Sequence, residues 1–284
     1  MKTKLLLLTV LTATTLTAAP KKLLVVTVTT GFRHSSIPTS EKVIADLAKS
    51  SGAFTVDFVS QPEGSPGKLK KDASGEEKAA HKAATTQWEK TKLKPALAKL
   101  SPAALKNYDA VAFVSTTGNL PVPDLGGLLD WIKAGGGFVG IHAASDTFHG
   151  SPEFIAMLGG EFKTHGPQVG VECLNHDPKH PATAHLGKTW TIPLEEIYEF
   201  KNYDTTKVSD LLTLAKHPQQ KTPGHFPVSW HKPFGQGRVF YTSLGHREDI
   251  WDTDFKDRKN PEAVAQDFQQ HVLGGIKWAL KLAD

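Results

Sequence analysis

Five histidines stand at or beside the ends of expected strands and hairpins: His34 in GFRH, His142 in GIHAASD, His165 in GGEFKTHG, His225 in PGHFPVSW and His246 in SLGHRED. Imidazole titrates close to neutral pH and, when neutral, offers a lone pair. Two carboxylates, Asp146 four residues after His142 and Glu199 in EIYEF, complete the set. Three chemistries suit these residue types. Histidines with a carboxylate bind a divalent metal such as zinc, for which His34, His142 and His246 are the candidate ligands. They also serve as metal-free general acid and base, or hold the hydroxyls of a polar ligand by hydrogen bonds. No dense motif such as HExxH decides among these three. The candidate catalytic set is therefore His34, His142, Asp146, Glu199 and His246, with Arg33, His165, His225, Trp230 and Arg247 as candidate substrate contacts. His81, His217 and His271 lie in helical or polar contexts and read as ordinary residues.

Other chemistries are set aside. GGGFVG, residues 135–140, lacks the G-x-G-x-x-G pattern and precedes its strand, so no nucleotide cofactor is expected. The absence of a G-x-S-x-G or G-x-C-x-G elbow removes the usual serine or cysteine nucleophile. The single cysteine, Cys173, permits neither an intramolecular disulfide nor a cysteine zinc cage, and its β-like setting suits packing.

The elements that must position the histidines follow from periodicity. KKLLVVTVTT (21–30) has no polar residue at its centre, which suits a strand covered on both faces. EKVIADLAKSSG carries apolar residues at helical spacing, and FTVDFVS follows as a second strand. This strand–helix–strand unit implies parallel pairing. Residues 62–107 are rich in Lys, Ala and Glu and read as a loop and helices, around 76–92 and 95–100, forming an insertion with a solvated charged face. DAVAFVSTTGNL, a helix in PDLGGLLDWIKAGGG and FVGIHAASD continue the alternation, and a doubly wound α/β fold is the expectation. Shorter β-like pieces follow: QVGVECL, LEEIYEF, LLTLAK and a hairpin PVSWHKPFGQGRVFYTSL turning at FGQG. PEAVAQDFQQHVLGGIKWAL is an amphipathic helix. In an open parallel sheet ligands sit at the carboxyl ends of the strands, so His34, His142 and His246 are expected on one edge.

MKTKLLLLTVLTATTLTAAP joins two lysines to a Leu/Thr run and small residues, the pattern of a secretory signal over residues 1–19. The expectation is an exported protein, periplasmic or secreted, with no membrane span after cleavage and one domain over 20–284. Formal net charge is +4, but the lysines are scattered rather than striped, and nucleic-acid binding is unsupported.

Taken in order, GFRHSSIP, YDAVAFVSTTGNL, AGGGFVGIHAASDTF, LGGEFKTHG, DPKHPAT, EEIYEF, PVSWHKPFGQGRVFYTSLGHRED and HVLGGIKWAL resemble the trehalose-utilisation (ThuA-like) family across nearly all of the expected mature chain. The resemblance implies a flavodoxin-like α/β fold of the class I glutamine amidotransferase-like superfamily, mainly parallel with helices on both faces, with added β-hairpins in the C-terminal half. It implies a small-molecule carbohydrate as partner and a role in carbohydrate catabolism, on a glycoside or a keto-sugar. Family motifs fall on His34, His142, Asp146, His165, Glu199 and His246. In amidotransferase-like relatives the strand-to-helix elbow carries a cysteine; the corresponding GIHAASD holds His142, so glutaminase activity is not expected. The competing expectation is a non-catalytic carbohydrate-binding or scaffold protein of the cell envelope, relying on Trp230 and Trp251.

Overall fold

The computed structural model describes residues 19–284; the expected signal segment lies outside them except for Ala19. In chain order the strands and helices are β1 (Lys21–Val26), α1 (Ile37–Ser51), β2 (Phe54–Val59), α2 (Gly75–Trp88), α3 (Lys94–Leu97), α4 (Pro102–Leu105), β3 (Ala110–Val114), α5 (Leu125–Lys133), β4 (Gly137–Ile141), α6 (Pro152–Leu158), β5 (Glu161–His165), β6 (Val169–Asn175), β7 (Thr189–Glu195), β8 (Tyr198–Lys201), β9 (Ser209–Lys216), β10 (Pro223–Phe234), β11 (Gly237–Thr242), α7 (Glu248–Trp251) and α8 (Glu262–Ala279). Nine strands form one sheet in the order β2-β1-β3-β4-β11-β10-β9-β6-β7, and β5 pairs with β8 as a separate ribbon. The first five are mutually parallel; the remaining pairings are antiparallel. The fold is therefore mixed α/β with a large central sheet, parallel through its first five strands.

The apolar runs of the parallel strands are explained by two cores. Successive residues of a strand point to opposite faces, and Leu23 and Val25 enter one buried cluster while Leu24 and Val26 enter the other. On the first face α1 contributes Val43, Ile44 and Leu47, and α8 contributes Phe268, Val272 and Ile276. On the second face α5 and α6 contribute Leu128, Ile132, Phe154 and Met157. The antiparallel strands β6 and β7 instead alternate, burying Val171 and Cys173, then Trp190 and Ile192, as expected of strands packed on one side. Desolvation pushes the Cys173 thiol up to about 12, so it stays protonated and inert.

The lysine-rich stretch 62–107 connects β2 to β3 and covers the second face. Trp88, Leu93, Leu97, Leu100 and Leu105 are buried there against Val26, Val59 and Phe113. Its lysines point outward, and its leucines other than the exposed Leu69 form part of the core. Leu97→Ala should therefore cost about 2–5 kcal/mol, read as a lowered urea midpoint; a loss below 0.5 kcal/mol, on that same scale, would show the segment to be a mere appendage.

One expected strand is divided. LEEIYEF, residues 194–200, spans the end of β7, a two-residue link at Glu196 and Ile197, and the start of β8. The link lets the chain leave the main sheet for the β5–β8 ribbon. It also aims Glu196 at the site described next.

Candidate active site

The carboxyl edge of the parallel strands brings three histidines together. His34 follows β1, His142 is the first residue past β4, and His246 follows β11. The ring centroids of His34 and His142 are 4.6 Å apart, and His246 is 5.4 Å from each. One donor atom from each of these rings and one from Glu196 all lie within 4.8 Å of one another. His34 and His142 are 7 % and 0 % exposed, and Glu196 is 7 % exposed. The cluster reaches solvent past His246 and His165.

The loops are tied to one another by hydrogen bonds. His142 adopts φ +52° at the end of β4, a left-handed conformation that is costly for a side chain with a Cβ and turns it out of the strand direction. Tyr241 Oη fixes that turn by donating to the His142 carbonyl (2.7 Å). His142 Nδ1 donates to Ser243 O (2.8 Å), which leaves Nε2 as the acceptor of the Tyr198 hydroxyl (3.0 Å). Ser36, beside His34, donates through Oγ to Gly245 O (3.0 Å), beside His246. The His246 amide in turn donates to Glu195 Oε1 (2.8 Å). Three sequence-distant loops are thereby locked into one geometry.

The electrostatics of the cluster divide its members. Burial, reinforced by the other imidazoles, holds His142 well below its ordinary range and lowers His34 to about 4, so both are neutral at pH 7. Burial also lowers His246, but the carboxylates of Glu196, Glu195 and Glu248 outweigh it and raise its pKa. Burial likewise raises Glu196, and the rings of His246, His165 and His34 more than reverse that, keeping it ionised. Glu196 Oε1 lies 3.2 Å from His246 Nδ1 and 3.8 Å from His142 Nε2, while Oε2 lies 3.0 Å from His165 Nδ1. The His246 contact is ionic rather than an aligned hydrogen bond, since Nδ1 has no hydrogen-bond partner. His34 Nδ1 is buried and unpartnered as well. Glu195 is fully buried, and desolvation raises it to about 7.

The other expected site residues are distributed around this centre. His165 joins it, its side chain 45 % exposed and on the solvent side of Glu196. Glu199 does not: its Oε1 pairs with His217 Nε2 (3.1 Å), and the cluster's carboxylate is Glu196, three residues earlier. Asp146, at the far end of the short turn His142–Asp146, accepts from His149 Nε2 (2.6 Å). Arg33 donates to Thr27 O (2.9 Å), and His225 pairs with Asp210 (2.8 Å). Arg247 is held by Asp249 (2.8 Å) and Gln168 (2.8 Å), bracing the loop after His246. Trp230 and Trp251 are fully buried core residues, with their indole N–H groups on Leu158 O and Gly245 O. Phe32 is the exposed aromatic at this edge: it is 49 % exposed, 4.7 Å from the His34 ring, and has Lys68 Nζ 4.3 Å above it. The lysine-rich segment thus reaches the rim of the site.

Sequence reasoning missed Glu196, Tyr198 and His149. Adjacent residues of an uninterrupted strand face opposite ways, so only one of Glu195 and Glu196 would point inward. The break after β7 buries both. The Asp146–His149 spacing was the available sign of the third.

With the geometry established, comparison with known proteins adds the family. The ThuA family model, described as trehalose utilisation, matches residues 22–279. The chain belongs to the ThuA family. Among solved structures, a ThuA-like protein from Parabacteroides merdae ATCC 43184 superposes with a TM-score of 0.64 at 20 % identity, covering 93 % of this chain and 91 % of that one. A ThuA-like protein from Bacteroides uniformis ATCC 8492 gives 0.59 at 19 % identity, covering 94 % of each chain. At these identities the likeness is one of fold. No curated protein matches the chain. ThuA membership gives this protein a role in carbohydrate metabolism, and no helix among the described residues is long and apolar enough to cross a membrane.

Proposed function

We propose that this ThuA-family protein is an exported enzyme of carbohydrate catabolism that moves protons on a glycoside or keto-sugar, with a divalent metal such as zinc held by His34, His142, His246 and Glu196. The convergence of four donor groups within 4.8 Å carries this reading. The unpartnered buried imidazole nitrogen His34 Nδ1 supports it. Zinc ligands at about 2.0–2.1 Å in a tetrahedron stand about 3.3 Å apart, so a pair at the 4.8 Å limit would close by about 1.5 Å. The donor set fits: one carboxylate, the neutral imidazoles of His34 and His142, and that of His246 on giving up its proton to the incoming cation, with the Ser243 carbonyl orienting His142 through Nδ1. Coordination by His142 Nε2 would replace the Tyr198 hydrogen bond. A bound metal would polarise a substrate carbonyl or hydroxyl oxygen as a Lewis acid.

The protein's own groups would do the proton transfer. A keto group acidifies the neighbouring C–H, so a positioned base can drive elimination, hydration or isomerisation without a covalent nucleophile. His165 suits that role: its Nδ1 donates to Gly166 O (2.9 Å) with Glu196 Oε2 beside it (3.0 Å), and its side chain is exposed to incoming substrate. The buried Trp230 and Trp251 offer no sugar platform, which favours this reading over non-catalytic carbohydrate binding. The strand order β2-β1-β3-β4-β11 is that of flavodoxin-like folds. With His142 at the β4 exit where amidotransferases carry cysteine, we assign the fold to the glutamine amidotransferase-like class without glutaminase chemistry.

The test is elemental analysis of protein purified without chelator, followed by turnover of 3-keto-glycosides. About one zinc or other transition metal per chain with chelator-sensitive turnover is expected. A protein that takes up no metal on reloading and turns over no keto-sugar would overturn the assignment.

A further inference from the structure

A cavity of about 710 Å³ lies apart from the histidine cluster and shares no lining residue with it. The β5–β8 ribbon joins the two places: His165 pairs with Tyr198 at the cluster end and Glu161 with Lys201 at the cavity end, about 13 Å along the strand. Its size is that of a small-molecule site. Pro152, Ile155 and Phe234 provide an apolar wall, and four cationic groups, His149, Lys201, Lys207 and Lys232, face two carboxylates, Glu161 and Asp204.

The pairing among these charges is uneven. Glu161, only 3 % exposed, holds His149 Nδ1 (2.6 Å), Lys201 (3.1 Å) and the Asn202 amide (2.6 Å). His149 bridges to Asp146 (2.6 Å), and Asp204 takes Lys207 (3.0 Å). Both carboxylates are thereby committed. Lys232 is 9 % exposed, donates to Ala156 O (2.6 Å) and has no carboxylate partner among the described residues. A shielded ammonium with no carboxylate in contact is costly to hold. A ligand anion would supply that charge.

We propose that this cavity is a second binding site, for a small organic anion whose carboxylate or phosphate pairs with Lys232 and whose apolar face lies on Ile155 and Phe234. For a protein of carbohydrate metabolism the matching ligands are sugar acids and sugar phosphates. The site is independent of any metal at the histidine cluster.

Isothermal titration of the full chain tests it with glucuronate, glucose 6-phosphate, inorganic phosphate and glucose as probes. Glucuronate or glucose 6-phosphate should bind, and whichever is tighter identifies the head group. Lys232→Met, which keeps the unbranched apolar stem and removes the charge, should weaken binding at least about tenfold. Lys207→Met, at a side chain 73 % exposed, should weaken it several-fold without affecting the fold. No binding of either organic anion at 10 mM, on the order of a very weak complex, would overturn the proposal. So would equal binding of glucose or inorganic phosphate, or wild-type affinity in Lys232→Met. The readout is binding alone, so its failure would leave the metal assignment untouched.

Discussion

Glu196→Gln is expected to lower metal affinity at least about 100-fold, because changes to outer-shell partners alone cost about 10–100-fold. The amide keeps the shape of the carboxylate but cannot supply its charge to the ring nitrogens of His246 and His142, at 3.2 and 3.8 Å, or to His165 at 3.0 Å. His246→Ala should behave alike, dropping metal content from about one per chain to a trace. His165→Ala should separate the two roles: metal retained, turnover down about 10²–10⁴-fold, the usual loss on removing a general acid–base group. Elemental analysis and initial rates on the same preparations read both. Loss of metal in His165→Ala, or full metal in Glu196→Gln, would sink the division of labour. His142→Ala is a poorer probe, since His142 is 0 % exposed and its removal strands Ser243 O and the Tyr198 hydroxyl. That variant should lose about 1–3 kcal/mol of stability as well as turnover.

Acid should unfold this protein through its buried neutral histidines, those remote from the cluster as well as His34 and His142. Burial holds His271 down to about 3, and burial with the neighbouring His231 ring lowers His180 to about 4. His271 Nδ1 donates to Ala182 O (2.8 Å) from inside the core, and its Nε2 has no partner that could share a proton. Unfolded, both residues take up a proton near pH 6.5; folded, they do so only near pH 3–4. The unfolded state therefore binds more protons across that window. Stability is complete above pH 6.5, begins to fall as the pH drops through that value, and has lost the full contribution below about 3. Each group steepens the decline by up to about 1.4 kcal/mol per pH unit. Urea unfolding of wild type and His271→Asn between pH 7 and 4.5 checks this, because the Asn amide can replace Nδ1 as donor without titrating. A shallower slope in the variant is expected; parallel slopes would refute the linkage.

Much of the architecture was legible from residue order. Strands buried on both faces show as unbroken apolar runs, as in KKLLVV and AVAFV, and α1, α5 and α8 show as helical periodicity. Parallel pairing of β1, β3 and β4 follows from strand–helix–strand order and places residues after β1 and β4 on one edge, which groups His34 with His142. His246 was a candidate for the same edge, and the pairing of β11, the second arm of an antiparallel hairpin, parallel to β4 puts it there. Segment 62–107 was harder, because its lysines dominate the composition while its five buried core residues are spread across several short helices.

The sequence by itself determined that His34 and His142 share an edge, since strand–helix–strand order fixes strand direction, while His246 joins them through the pairing of β11 with β4. Tertiary structure alone decided which carboxylate meets them. Glu199 and Glu196 lie three residues apart on one stretch, and only the departure of the chain from β7 into the β5–β8 ribbon turns Glu196 inward and leaves Glu199 to His217. The same holds for Tyr198 on His142 and for Lys232 in its cavity. Each depends on contacts between residues distant in the chain, and side-chain direction at a strand break or a left-handed turn is set by the packing of the whole molecule.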